Sequence, residues 1–352
     1  LIIDVVSRNR GHLASNLGTV ELTLALHYAF DFLQDRLVWD VGHQTYAHKI
    51  ITGRRDEFDT LRQEGGLSGF LDPRESDYDT FHFGHTATSL STALGLACGE
   101  RAQGRENMVV AVIGDGAIAS GYAFEALNHA GELDRNLMVV LNDNKMSISQ
   151  SVGAISKYLA KVRSSTSYTN IKQEALDLIK TMPMVGKRLE FILSRVDEGL
   201  QVALTPGGLF VEMGFRYFGP VNGHDVEGLV DTFRHLRRVE GPMLLHVLTE
   251  KGHGFHPAKE DPTRFHSSKR FEVEGGMITS EESSSGTSYS SVFGDELCEL
   301  AEDYENLVAI TAAMPDGTGL TRFANEFKYR FYDVGICEQH GVGLATGLSR
   351  AG

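Results

Sequence analysis

Two continuously apolar runs, Met108-Val109-Val110-Ala111-Val112-Ile113 and Leu137-Met138-Val139-Val140-Leu141, each end on a polar cluster, Gly114-Asp115-Gly116-Ala117 after the first and Asn142-Asp143-Asn144 after the second. A strand with one face in solvent alternates polar and apolar residues, so runs like these belong to strands buried on both faces of a parallel sheet. Between them Ala123, Ala126, Leu127 and Ala130 fall at i, i+3, i+4 and i+7, which predicts a helix whose face of small residues lies close on the sheet. Residues 108–141 therefore read as a strand-helix-strand unit. Both polar clusters then sit at the carboxyl ends of neighbouring strands, where open α/β sheets bind ligands.

The residue types at those ends suit a diphosphate with a hard cation. Asp115 offers an anionic oxygen and Asn144 a neutral carbonyl oxygen. Gly114 and Gly116 let backbone approach phosphate oxygens at a helix start. Magnesium takes oxygen ligands at about 2.0–2.1 Å, few of them from protein and the rest from phosphate and water. A Gly-Asp-Gly after a strand is by itself usually a turn. An Asp followed 29 positions later by Asn, with a strand before each and a helix between, points to thiamine diphosphate.

The stretch Gly114 to Ser149 resembles the thiamine-diphosphate motif of transketolase-like enzymes, and most closely the wording of 1-deoxy-D-xylulose-5-phosphate synthases. Trp39-Asp40-Val41-Gly42-His43-Gln44, His48-Lys49-Ile50 through Gly53-Arg54-Arg55, Gly84-His85-Thr86-Ala87-Thr88-Ser89, Gly219-Pro220-Val221-Asn222-Gly223-His224-Asp225 and Glu338-Gln339-His340 resemble that family in the same order, so the resemblance covers nearly the whole chain. It implies an α/β thiamine-diphosphate-binding fold, a parallel sheet with helices on both faces, followed by the start of a second α/β domain. The reaction it implies is decarboxylative condensation of pyruvate with D-glyceraldehyde 3-phosphate, the first step of non-mevalonate isoprenoid synthesis, which also feeds thiamine and pyridoxal synthesis. Two other readings stand beside it, a transketolase-type ketol transfer and a non-catalytic fragment that binds thiamine diphosphate and magnesium.

The resemblance also implies roles. Asp115, Asn144 and the backbone carbonyl of Met146 would hold magnesium. His43, Gly84, His85, Thr86, Gly116, Ala117, Asn144, Phe255 and Glu338 would contact the cofactor. Glu338 would bond the aminopyrimidine ring nitrogen from a buried site, where desolvation raises a carboxyl pKa. His43 and His12, each beside a glycine in a polar loop, would move protons or orient substrate. Thr86 is also a candidate helix N-cap. Phe255 stands where the family often carries tyrosine, and Asn222 where it commonly has aspartate.

The formal charge of −14 argues against nucleic acid or an anionic membrane as partner. It also means an anionic ligand needs a cation and local donors. Cys98, Cys298 and Cys337 are odd in number and far apart, which points away from a disulfide framework or zinc site and toward a reducing compartment. A cytoplasmic location is expected, or a plastid in a plant or alga, with a homodimer as the complete enzyme. Leu1-Ile2-Ile3-Asp4 is neither a signal peptide nor a start methionine, so the amino terminus is expected to be truncated.

Along the chain, Glu21 to Phe30 and Val226 to Leu236 read as amphipathic helices, and Leu37 to Trp39 and Met243 to Leu248 as strands. Helices are also expected at Gln173 to Lys180 and Arg188 to Leu193, with a loop at Ser164 to Ser167. Periodicity fades between about 256 and 291, and Glu281 to Gly286 has linker composition. The expected division is a diphosphate-binding domain over 1–260, a linker over 261–291, and over 292–352 the incomplete start of a pyrimidine-binding α/β domain.

Overall fold

The computed structural model describes residues 1–145, 153–164, 207–281 and 287–352. Its first part contains α1 (Ile2–Asn9), α2 (Leu13–Leu17), α3 (Val20–Ala29), β1 (Arg36–Trp39), α4 (Tyr46–Lys49), α5 (Ser89–Ala102), β2 (Val109–Gly114), α6 (Gly121–Leu133), β3 (Leu137–Asp143), α7 (Ala154–Ser164), α8 (Gly208–Glu212), β4 (Arg216–Asn222), α9 (Val226–Leu236), β5 (Met243–Leu248) and α10 (His256–Glu260). The five strands form one sheet in the order β1-β2-β3-β5-β4, every neighbouring pair parallel.

Successive side chains on a strand point to opposite faces, and β2 and β3 divide accordingly. Val109, Ala111, Ile113, Val139 and Leu141 pack under α5 and α6, with Leu90, Ala93, Ala126 and Leu127. Val110, Val112, Met138 and Val140 pack under α3 and α9, with Leu22, Leu26, Phe233 and Leu236. Helices on both faces are why these runs are apolar throughout. The small face of α6 brings backbones close, for a Cβ on Gly131 would lie 1.7 Å from the Met213 carbonyl oxygen.

Because all strands are parallel, β2 and β3 finish level, with Gly114 opposite Asn142. The turns Gln103–Asn107, Asp134–Asn136 and Arg238–Gly241 lie at the other end of the sheet. The loop after β2 is longer than expected. Helix α6 begins at Gly121, so Gly116 lies in a turn ahead of the helix and not at its start.

Residues 261–291 carry more structure than a linker. An antiparallel hairpin, β6 (Phe271–Glu274) and β7 (Met277–Glu281), packs with Phe265 onto a third core formed by Val5, Leu13, Tyr46 and Phe58. The Ser268 N–H donates to Gly11 O at 2.7 Å. Strands of four and five residues are too short to show a period, but Gly275-Gly276, both at positive φ, mark the turn between them. The expected helices Gln173 to Lys180 and Arg188 to Leu193, the loop residues Ser165 to Ser167, and Glu282 to Gly286 lie outside the described residues.

The remainder is α11 (Tyr289–Asp303), β8 (Ala309–Thr311), α12 (Thr321–Glu326), β9 (Phe331–Asp333) and α13 (Glu338–Ala351), with β8 and β9 paired in parallel. Its core is Cys298, Ala301, Ala309, Leu320 and Phe323. Among the described residues no helix is long and apolar enough to cross a membrane.

Candidate active site

A cavity of about 330 Å³ opens at the carboxyl ends of β1, β2 and β3 and is closed on its far side by Ala312, Met314, Ile336 and Glu338. His12, His43, Gly84, His85, Thr86, Gly116, Ala117, Asn144 and Glu338 all line it. Residues from opposite ends of the chain therefore line one cavity. A second cavity, about 550 Å³, adjoins it and is lined by Asp115, Lys145, Lys157 and Arg163; Asn144 and Lys251 face both.

Asp115 follows the last residue of β2 and is buried. Burial first, and the negative charge of Asp143 second, push its carboxyl up to about 7. Lys251 opposes that rise, and its own ammonium is lowered to about 8 by burial, partly offset by Asp115. A buried acid beside a second acid is a place where a cation lowers the energy of the ionised form. At Gly84 and Gly114 an added Cβ would meet nothing within 4 Å, so backbone there is open to a ligand. His12 Nδ1 and His43 Nδ1 are buried with no hydrogen-bond partner among the described residues, and each is a polar atom that a bound group can satisfy. This donor set fits an anionic, nitrogen-bearing ligand with a hard cation.

Three histidine rings form one face of the cavity. His12 lies 5.2 Å from His43 and 5.5 Å from His266, and His43 lies 5.3 Å from His266, all edge to face. Burial, reinforced by nearby cations, lowers His12 to about 4 and His266 to about 3. Burial, then the neighbouring His12, puts His43 well below its ordinary value. The three rings are neutral at pH 7.

The loop Gly84–Thr88 is held by Asp40 at the end of β1. Asp40 Oδ2 accepts from Thr86 Oγ1 and from the Ala87 N–H, both at 2.9 Å, and Oδ1 accepts from the Ser89 N–H at 3.3 Å. Ala87 (φ 66) and Val41 (φ 63) sit in the left-handed region, so this loop and the one before His43 both carry local strain. Thr86 is not the helix cap; Thr88 occupies that position ahead of α5.

Glu338 departs from expectation. Its side chain is 48% exposed, not buried, and meets His85, itself 61% exposed, with His85 Nε2 donating to Oε1 at 2.7 Å. His85 Nδ1 faces the Thr86 carbonyl at 2.8 Å. Both ring nitrogens thus point at acceptors, and the Thr86 carbonyl together with Glu338 raises the His85 pKa. Phe255 is also corrected. It is a core ring set edge-on to Phe265 at 6.4 Å, and the structure does not bring it to the cavity. Met146 lies outside the described residues.

His253, beside Lys251, stacks on His224 at 3.6 Å. His224 Nε2 accepts from the Glu250 N–H at 2.9 Å, so its proton is on Nδ1, which donates to Glu21 at 3.1 Å. The Gly-His-Asp segment therefore ties α3 to the loop that presents Lys251. Asn222 Oδ1 accepts from the His224 N–H at 3.1 Å and helps fix the same turn.

Asp40, Gln44, Phe70, Lys251 and His266 belong to the site and were not singled out by the sequence reading. Asp40 and Gln44 lie inside the Trp39 to Gln44 segment, whereas Lys251 lies in the loop after β5, His266 falls where no periodicity remains and Phe70 lies in an irregular loop.

Solved transketolases share this architecture: the Campylobacter jejuni enzyme superposes with a TM-score of 0.53 at 19% identity, over 76% of this chain and 38% of that one. A Pichia stipitis transketolase variant gives 0.52 at 18% identity, over 72% and 35%. Fold and strand-end site together define a transketolase-like α/β protein. Residues 1–249 match the family described as 1-deoxy-D-xylulose-5-phosphate synthase, and residues 285–352 match the transketolase pyrimidine-binding domain. The chain belongs to the 1-deoxy-D-xylulose-5-phosphate synthase family. It is 50% identical over 351 residues to synthases of that name from Natranaerobius thermophilus and Geobacter sulfurreducens, a match that covers 100% of this chain and 56% and 55% of theirs. The chain thus spans about half the length of the curated relatives it matches.

Proposed function

We propose that this chain forms the diphosphate-binding domain, over about residues 1–260, and part of the pyrimidine-binding domain, from about 292, of a thiamine-diphosphate- and magnesium-dependent enzyme that condenses pyruvate with D-glyceraldehyde 3-phosphate, releasing carbon dioxide. The observation that carries this reading is the convergence on one cavity of Asn144, beside Asp115 at the strand ends, and Glu338 from the far end of the sequence. When bound, thiamine diphosphate supplies a carbon nucleophile and an electron sink for decarboxylation. Asp115 and Asn144, with the Met146 carbonyl, would hold the cation, and Gly84, Thr86, Gly116 and Ala117 would give the cofactor close backbone and short polar contacts.

His12 and His43, neutral and buried, present Nδ1 atoms able to accept a proton or orient a carbonyl. Lys251 adds positive charge on the same wall. Glu338 and His85 share a proton at the rim, and transfer of the Glu338 contact from His85 to the cofactor is how this carboxyl would take up its role. A homodimer in the cytoplasm completes the reading.

Titration of thiamine diphosphate into the full-length protein, with and without magnesium, tests the site. Magnesium-dependent binding is expected, and binding indifferent to magnesium removes the cation assignment. Release of carbon dioxide from labelled pyruvate, on addition of D-glyceraldehyde 3-phosphate, separates this activity from ketol transfer, which releases none. A protein that binds the cofactor and converts neither set of substrates leaves the non-catalytic reading.

A further inference from the structure

Two acids, Asp115 and Asp143, stand at the ends of neighbouring strands, and both are buried. A hard divalent cation is attracted to either, yet the proposed cation site uses only the first. The structure shows what distinguishes them. Asp143 Oδ2 accepts from His246 Nε2 at 2.8 Å, and Arg163 Nη1 lies 2.6 Å from Oδ1 and 2.5 Å from Oδ2. Oδ1 also accepts from the Lys145 N–H at 3.1 Å, closing a turn around Asn144. Tyr217 Oη lies 2.7 Å from His246 Nδ1, so both ring nitrogens of His246 are engaged and the ring orientation is fixed. His246 thus bonds Oδ2, and Arg163 brings a permanent positive charge to both oxygens.

Resting on the functional reading above, we propose that Arg163, with His246 and Tyr217 behind it, is a positioning residue. It neutralises Asp143 so that this acid does not compete for the magnesium ion, and it fixes the turn that aims Asn144. Arg163 comes from the last turn of α7, Tyr217 from β4 and His246 from β5, so three elements meet on one carboxylate. Groups that orient and balance ligating residues in this way typically contribute about 10–100-fold to metal affinity.

The test is the magnesium concentration that half-saturates thiamine diphosphate binding, measured by calorimetry on the full-length protein. Arg163→Gln is expected to raise it at least about tenfold, and Asp143→Asn in the same chain to recover part of that loss by removing the competing charge. A purely structural contact would lower the melting temperature and leave the magnesium requirement unmoved. An unchanged requirement in folded Arg163→Gln overturns the proposal, as does equal weakening of the single and double variants. Tyr217→Phe, a milder change, is expected to raise the requirement about threefold, below the range typical of a direct partner. If Arg163→Gln does not fold, an unchanged Tyr217→Phe overturns the proposal instead. Wild-type protein with no magnesium-dependent binding removes the functional reading, and this inference with it.

Discussion

Asp115 and Asn144 grow out of a five-stranded sheet covered by helices on both faces, whereas Glu338 opens a helix packed on a two-stranded pair with a small core. The first two have their positions set by strand register and by a buried network. Among the described residues the Glu338 side chain makes one hydrogen bond, to His85, with solvent on both partners. Along α13, Val342 is 70% exposed. The site thus joins a half held in place by strand register to a half whose Glu338 carboxylate meets solvent and His85.

Asp115→Ala gives the largest expected effect, loss of magnesium-dependent thiamine diphosphate binding in calorimetry, because a neutral methyl cannot replace an anionic oxygen ligand. Unchanged affinity would locate the cation elsewhere. Glu338→Ala in the full-length protein is expected to retain cofactor affinity and lose turnover by about 10²–10⁴-fold. Near-normal kcat would show that Glu338 does not carry the proton chemistry. Stability offers a third contrast. Leu141→Ala, in the fully buried run of β3, is expected to cost about 2–5 kcal/mol in urea unfolding, and Val342→Ala no more than about 0.5 kcal/mol. Equal costs would erase the distinction between the halves.

A further expected effect is a pH dependence. Burial holds His12 at about 4 and His27 and His266 at about 3 in the folded chain. Unfolded histidine titrates near about 6.5. As pH falls below that value the unfolded chain takes up protons first, so stability present at pH 7 is lost progressively toward the folded values. Each ring contributes about 1.4 kcal/mol per pH unit in that window. Urea midpoints should fall from pH 7 to pH 5, and hydrogen exchange should place the loss around these rings in the first region. A flat profile would mean that the rings reach water more readily than their burial indicates.

The β2–α6–β3 unit was legible because its signals are local: two apolar runs at the length of a strand and a small-residue face at helical spacing. His12, His43 and Asn144 could be named because each stands in a polar loop with a recognisable neighbour. The structure of residues 261–281 was not legible, since Phe265 and Phe271 are buried by contact with residues near Val5 and Tyr46 that are distant in sequence. His266 was missed for the same reason, and Phe255 was placed at the site because the family resemblance at that position does not reveal which way the ring turns. Glu338 was placed at the cavity and given the wrong burial. A motif fixes chemistry at a position but not the solvent around it.

All five strands run the same way, which has a practical consequence for handling the protein. A strand of six or seven residues spans about 20 Å, so whatever is attached at the amino-terminal ends of the strands stands that far from the cavity. Ala102, exposed at the end of α5 just ahead of β2, is the place to graft a dye, an affinity handle or a surface tether. A chain immobilised there would present its open end outward, with the ligand entrance facing the bulk solution.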